Sequence, residues 1–336
     1  MEYKSVRGMN GWAQLGVLIA MLGGGFLLAA LTQLAILIPR LPNGYGITNM
    51  AEGLDKMMSN PANSIYLQLA QVVGTFCLFF LPAYLYSRLA NGKNMFWLGF
   101  NNHFTPVQVV LGFVLIFTAN LVASPLADLS KAIVSHFPSI QEAAIKMEEA
   151  YTKQLIAMSN LRTIGSYILA LFIIAFFPAV FEELFFRGAL QNLFVKWWKA
   201  PLLAILFCSL LFSLIHGSIY LFLSRFVLGV ILGLLYHKSK NIWVNIIAHF
   251  LNNAVAVTAM YVMSKDGKPL DPAKLDPSMP WWVAIMGVAA LIGLFYVFDK
   301  QSEEKLAIIN LKEQTLLAAA EPFHDFPAKQ KNDGWA

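Results

Sequence analysis

Two adjacent glutamates and an arginine stand in the stretch FEELFFRGAL, residues 181–190, directly after the apolar run LALFIIAFFPAV. On a helix, neighbouring side chains point about 100° apart, whereas residues four apart share a face. Glu183 can therefore pair with Arg187, and Glu182 is left without a local partner. The pair offsets much of the cost of holding charge at membrane depth, while an unpaired carboxylate there is a functional group by default. Pro178, four residues before Glu182, cannot donate a backbone hydrogen bond to the carbonyl of Ile174. A kink that could admit water is expected beside the site.

Two further stretches carry groups that could answer Glu182. In FSLIH, Phe212 and His216 are one turn apart; in HFLNN, His249 and Asn253 are at i and i+4 and project from one face. With Lys196 to Lys199 and Lys238 to Lys240 taken as a membrane edge, the groups lie about 9 to 17 residues inward, roughly 14 to 26 Å at 1.5 Å per residue. Glu182, His216 and Asn253 are expected at similar depth. A carboxylate and an imidazole can hold and deprotonate a water, and an amide with a second imidazole can donate to a developing oxyanion. One Glu and two His (Glu182, His216, His249) are also a possible zinc ligand set, so the spacing leaves the metal open. No HExxH, GxSG or GxGD stretch offers another protease chemistry.

These groups need apolar elements to position them, and the composition supplies such elements. Hydrophobic residues make up 58% of the chain and charged residues 13%, with a mean hydropathy of +0.60, far from the values of a soluble domain. Segments of about 20 apolar residues are read near 11–38, 64–87, 105–127, 163–186, 201–218, 220–237, 241–263 and 280–298. The alternating 10-residue runs of an outer-membrane barrel are absent. The expected fold is an all-α polytopic membrane protein with about eight transmembrane helices, the pair around Gly217 being short. Residues 1–300 are read as the transmembrane domain and 301–336 as a cytosolic tail with a short helix and then disorder. The first span reads as retained rather than as a cleaved signal.

Lysines and arginines in short loops (Lys4, Arg7, Arg88, Lys93, Lys196, Lys199, Lys238, Lys240) fall at alternate span ends and place both termini in the cytoplasm. Residues 40–62 read as an irregular loop with a short helix, and IQEAAIKMEEAYTKQLIAM within 128–162 as a surface or solvated helix. The net charge of +5 suits anionic membrane lipids, but basic residues are scattered rather than striped, so nucleic acid is not an expected partner. Cys77 and Cys208 fall inside spans and read as small apolar residues. Arg225 could contact a substrate carboxylate or simply pack against a carbonyl, and His103, His136 and His237 read as solvated.

EELFFR, FSLIH and HFLNN together resemble the EExxxR, FxxxH and HxxxN motifs of the CPBP family of intramembrane proteases, in family order, over about residues 160 to 260. The family includes type II CAAX prenyl endopeptidases and bacterial Abi proteins linked to bacteriocin processing and immunity. The resemblance implies that Glu182 and His216 activate water, that His249 and Asn253 stabilise the oxyanion, and that Glu183, Arg187 and Phe212 brace the site. It implies a hydrophobic or lipidated peptide substrate, a bacterial plasma membrane and, in the prenyl endopeptidases, no required cofactor, although the family has also been labelled metalloprotease. A non-catalytic scaffold or immunity protein binding a hydrophobic peptide, and a proton-coupled transporter using Glu182, are the competing classes.

Overall fold

A computed structural model describes residues 3–159, 161–265 and 278–320. It is built of α1 (Gly11–Arg40), a short α2 (Met50–Met58), α3 (Pro61–Asn91), α4 (Pro106–Val134), α5 (Pro138–Met158), α6 (Ile164–Trp198), α7 (Pro201–Leu214), α8 (Phe222–Ser239), α9 (Ile242–Lys265) and α10 (Trp281–Ala318). Seven of these helices are long and apolar enough to cross a membrane. The eighth expected span, 201–218, is a helix only over Pro201–Leu214. Its 14 residues rise about 21 Å, so α7 stops inside a core of about 30 Å.

Helix starts follow local chemistry. Asn10 caps α1 through the amide of Ala13, and Thr105 with Gln108 forms a capping box ahead of Pro106 at the first position of α4. At the opposite ends of two hairpins, Lys199 and Lys240 adopt left-handed φ values of 53° and 46°, so α6 turns directly into α7 and α8 into α9.

α6 is the centre of the bundle. It packs on α3 and α1 through a cluster that includes Leu18, Phe79, Tyr86, Phe181, Phe185 and Phe186, and on α9 along its first half. A second cluster joins α4, α8, α9 and α10 around Leu115, Ile116, Leu235, Val244 and Phe298. Both cysteines are buried within the bundle as free thiols.

The basic loops meet at one end. The backbone of Arg7 bonds to Ala90 O at 3.0 Å, Gly11 lies against Trp197, and Glu313 of α10 bridges Lys196 (2.6 Å) and Lys240 (3.1 Å). α10 therefore differs from expectation: the last span and the tail helix are one uninterrupted 38-residue helix. Its polar half does not leave the bundle because Glu313 and Asn310 answer lysines of the core. The disorder expected further along the tail lies outside the described residues.

Candidate active site

α6 is not a regular helix, and its irregularity places the site. Leu171–Phe176 and Leu184–Gln191 are π-helical, separated by the α-helical turn Phe177–Glu183. Pro178 lacks an N–H and its ring would strike the preceding turn, so a wide turn just before it relieves the clash. The same pairing recurs in α3, where π-helical Phe76–Phe80 precedes Pro82. The expected kink is thus realised as a widened turn, and such turns are frequent at functional sites.

Glu183 lies at the bottom of the site, fully buried, and each of its oxygens is held. Oε1 accepts from Arg187 Nη1 at 2.8 Å and from His249 Nδ1 at 2.9 Å; Oε2 accepts from Asn245 Nδ2 at 3.1 Å. Arg187 also donates to Gly229 O at 3.1 Å and lays its guanidinium over the Phe212 ring at 4.7 Å. The i, i+4 pairing read from the sequence is present, and its partners go further than the sequence indicated. Asn245, one turn before His249 on the same face of α9, was not singled out. Its spacing of four from His249 was the available signal.

Glu182 has a different environment. Its Oε2 stands 3.9 Å from His216 Nε2 and 4.0 Å from His249 Nε2, too far for direct hydrogen bonds. His216 Nδ1 faces the carbonyl of Phe212 at 2.5 Å, and His249 Nδ1 faces the Glu183 carboxylate. Both partners are acceptors, so each ring carries a proton on Nδ1 and turns its Nε2 towards Glu182. Three polar atoms, one carboxylate oxygen and two ring nitrogens, thus converge around a gap of the width that one bridging molecule requires.

His216 follows the end of α7 because that helix is short: the chain turns at Gly217 (φ 63°), and Phe212, one turn earlier, supplies both the accepting carbonyl and a ring 4.5 Å from the imidazole. Of the groups expected at similar depth, Glu182 and His216 face each other, with His249 beside them. Asn253 lies one turn beyond His249, half-buried, and makes no hydrogen bond to a described residue. Its neighbour Asn252 is occupied by Asn120 of α4 at 2.7 Å.

Four-coordinate zinc with ligands at about 2.0–2.2 Å places neighbouring ligand atoms about 3.4 Å apart. Here two of the separations are 3.9 and 4.0 Å, and no group of three or more His, Cys, Asp or Glu among the described residues is arranged to hold a metal ion. The residues as placed do not fit a metal.

The other histidines among the described residues lie elsewhere. His136 meets Ala132 O at 2.7 Å in an exposed turn, while His103 and His237 line cavities at the basic end.

Residues 164–255 match the family model of the Rce1-like type II CAAX prenyl endopeptidases. The matched segment opens with α6 and closes two residues after Asn253, so it contains all three motifs and every side chain of the site. No curated protein and no solved structure matches the chain.

Proposed function

From an Rce1-like domain over residues 164–255, we propose that the protein is an intramembrane endopeptidase that hydrolyses a peptide bond in a hydrophobic or lipidated substrate by a water activated at Glu182. One observation carries the reading. A free carboxylate oxygen and two imidazole nitrogens converge across 3.9 and 4.0 Å, while the neighbouring carboxylate is fully engaged in holding the site together.

The attacking water sits between Glu182 and His216. It gives its proton to Glu182 as its oxygen bonds to the substrate carbonyl carbon, and the His216 Nε2 lone pair orients its second hydrogen. The carbonyl oxygen becomes an oxyanion, and a protonated His249 donates to it from Nε2. The Glu183 carboxylate at His249 Nδ1 stabilises that imidazolium, as a carboxylate behind a histidine does in hydrolytic triads. Asn253 supplies the second donor from the same face of α9. Collapse of the tetrahedral intermediate breaks the C–N bond, and the proton held by Glu182 passes to the leaving amine. Protein carboxylates and imidazoles thus perform every proton transfer.

The test compares protein termini in membranes of matched cells expressing wild type or Glu182→Gln. New termini found only with wild type are expected, with cleavage in the variant lower by about 10²–10⁴-fold, the range of a general base. Equal processing by the two proteins would remove Glu182 from the chemistry. Absence of new termini with both, each shown to be folded and inserted, would favour a peptide-binding scaffold or a proton-coupled transporter. Stoichiometric zinc in purified active protein, with activity lost to a chelator and restored by zinc, would replace the metal-free reading.

A further inference from the structure

Arg225, in the first turn of α8, is a membrane-embedded cation for which the reaction above has no use. Its side chain makes one hydrogen bond, from Nη1 to the backbone carbonyl of His216 at 3.0 Å, and its guanidinium lies 5.0 Å from the centre of the Tyr151 ring of α5. Four N–H donors are unused, and among the described residues no carboxylate is within ion-pair distance. The contrast with Arg187 is direct: that guanidinium, fully buried where Arg225 is half-buried, is matched by Glu183 at 2.8 Å. A charged side chain in a membrane protein normally faces a partner or a functional path.

The surroundings give the partner's chemistry. Arg225 grips the backbone of the residue whose imidazole faces Glu182, and its charge bears on both Glu182 and His216. α5 closes over the same turn, with Glu148 accepting from Ser218 Oγ at 2.8 Å and Tyr151 holding the guanidinium from one face. That leaves a fixed planar fork at the rim of the site, the geometry that binds a carboxylate with two parallel hydrogen bonds. We infer that Arg225 determines specificity by receiving a substrate carboxylate within a few residues of the scissile bond. The carboxylate is the free C-terminus of the peptide or an acidic side chain near it. The inference deepens the hydrolytic reading and rests on it for the word substrate, but not for the binding itself.

The experiment measures binding separately from turnover. Full-length protein carrying Glu182→Gln, purified in lipid nanodiscs, is titrated with three fluorescent S-farnesyl-cysteine peptides: one ending in a free carboxylate, one in an amide, and one in an amide after a terminal Asp. Expected is tighter binding of the free acid than of the plain amide by about tenfold or more, one charge-assisted pair. Adding Arg225→Gln should bring that ratio to about one, while Arg225→Lys should keep part of it. If the Asp amide binds as the acid does, the carboxylate comes from a side chain; if it binds as the plain amide does, it comes from the terminus. Equal binding of acid and amide to protein with Arg225 intact, or a preference that survives Arg225→Gln, would overturn the inference. Thermal unfolding of each variant shows whether it is folded, and Arg225→Lys tests the same point with the charge retained. Cleavage by the otherwise wild-type protein is scored in parallel. An acid preference without cleavage would refute hydrolysis and keep the carboxylate site, whereas cleavage without a preference would do the reverse. A role for Arg225 confined to holding the His216 turn through its backbone carbonyl would weaken acid and amide alike.

Discussion

Adjacent residues with the same side chain have opposite duties here because one residue along a helix is a rotation of about 100°. Glu183 points into the protein, where Arg187, His249 and Asn245 saturate it; Glu182 points to the gap between two imidazoles. Replacing each by Gln should therefore give different defects. Glu182→Gln is expected to lose cleavage with little change in thermal unfolding, since no hydrogen bond holds its carboxylate. Glu183→Gln leaves Arg187 buried without its counter-charge, a loss of about 3–5 kcal/mol for a broken buried pair. A lowered Tm and reduced yield of folded protein would show it. An unchanged Tm for Glu183→Gln would mean that the pair does not hold the site.

At the scale of elements, close approach of backbones fixes where α6 stands. A Cβ on Gly188 would come within 2.8 Å of the Leu98 carbonyl oxygen, an atom of the main chain that cannot rotate away. Gly229 and Gly233 of α8, four residues apart, likewise meet Ser209 and Ile205 of α7 and offer their carbonyls to Arg187 and Gln191. Gly188→Ala is expected to cost about 1–3 kcal/mol through overpacking. Gly16→Ala on α1, where an added Cβ meets nothing within 4 Å, should be neutral or gain roughly 0.5–1 kcal/mol from helix propensity. Thermal unfolding of the two variants in one detergent gives the comparison, and an equal effect would remove the packing argument.

For the whole molecule, the gathering of basic loops at one end and of α2, α5 and the His216 turn towards the other makes sidedness a property of the fold. With the basic end in the cytoplasm, cysteines placed at exposed Lys93 and Lys300 should react with an impermeant maleimide only after permeabilisation. Cysteines at exposed Glu52 and Glu142 should react in intact cells. Cys77 and Cys208, buried in the bundle, should contribute little background. The reverse pattern would invert the orientation, and a mixed pattern within either pair would contradict the arrangement of helices.

Composition and the spacing of apolar runs were enough to determine a polytopic helical protein, because no other element satisfies its backbone in lipid. Helical periodicity alone separated Glu182 from Glu183 and paired Glu183 with Arg187, since both statements concern residues within one turn of each other. Contacts between helices were not legible in this way. That His249 Nδ1 binds Glu183, that Asn245 completes the cradle, that α7 stops short so His216 can turn inward, and that α10 runs on unbroken to Glu313 all depend on residues brought together from 62 to 117 positions apart or more loosely on where helices end. The widened turns of α6 were legible in part: Pro178 announced an irregularity, and the structure shows it as π-helical turns on either side of the segment that carries Glu182. Local geometry is written in short-range spacing; which faces meet is decided by the lowest-energy packing of the helices together.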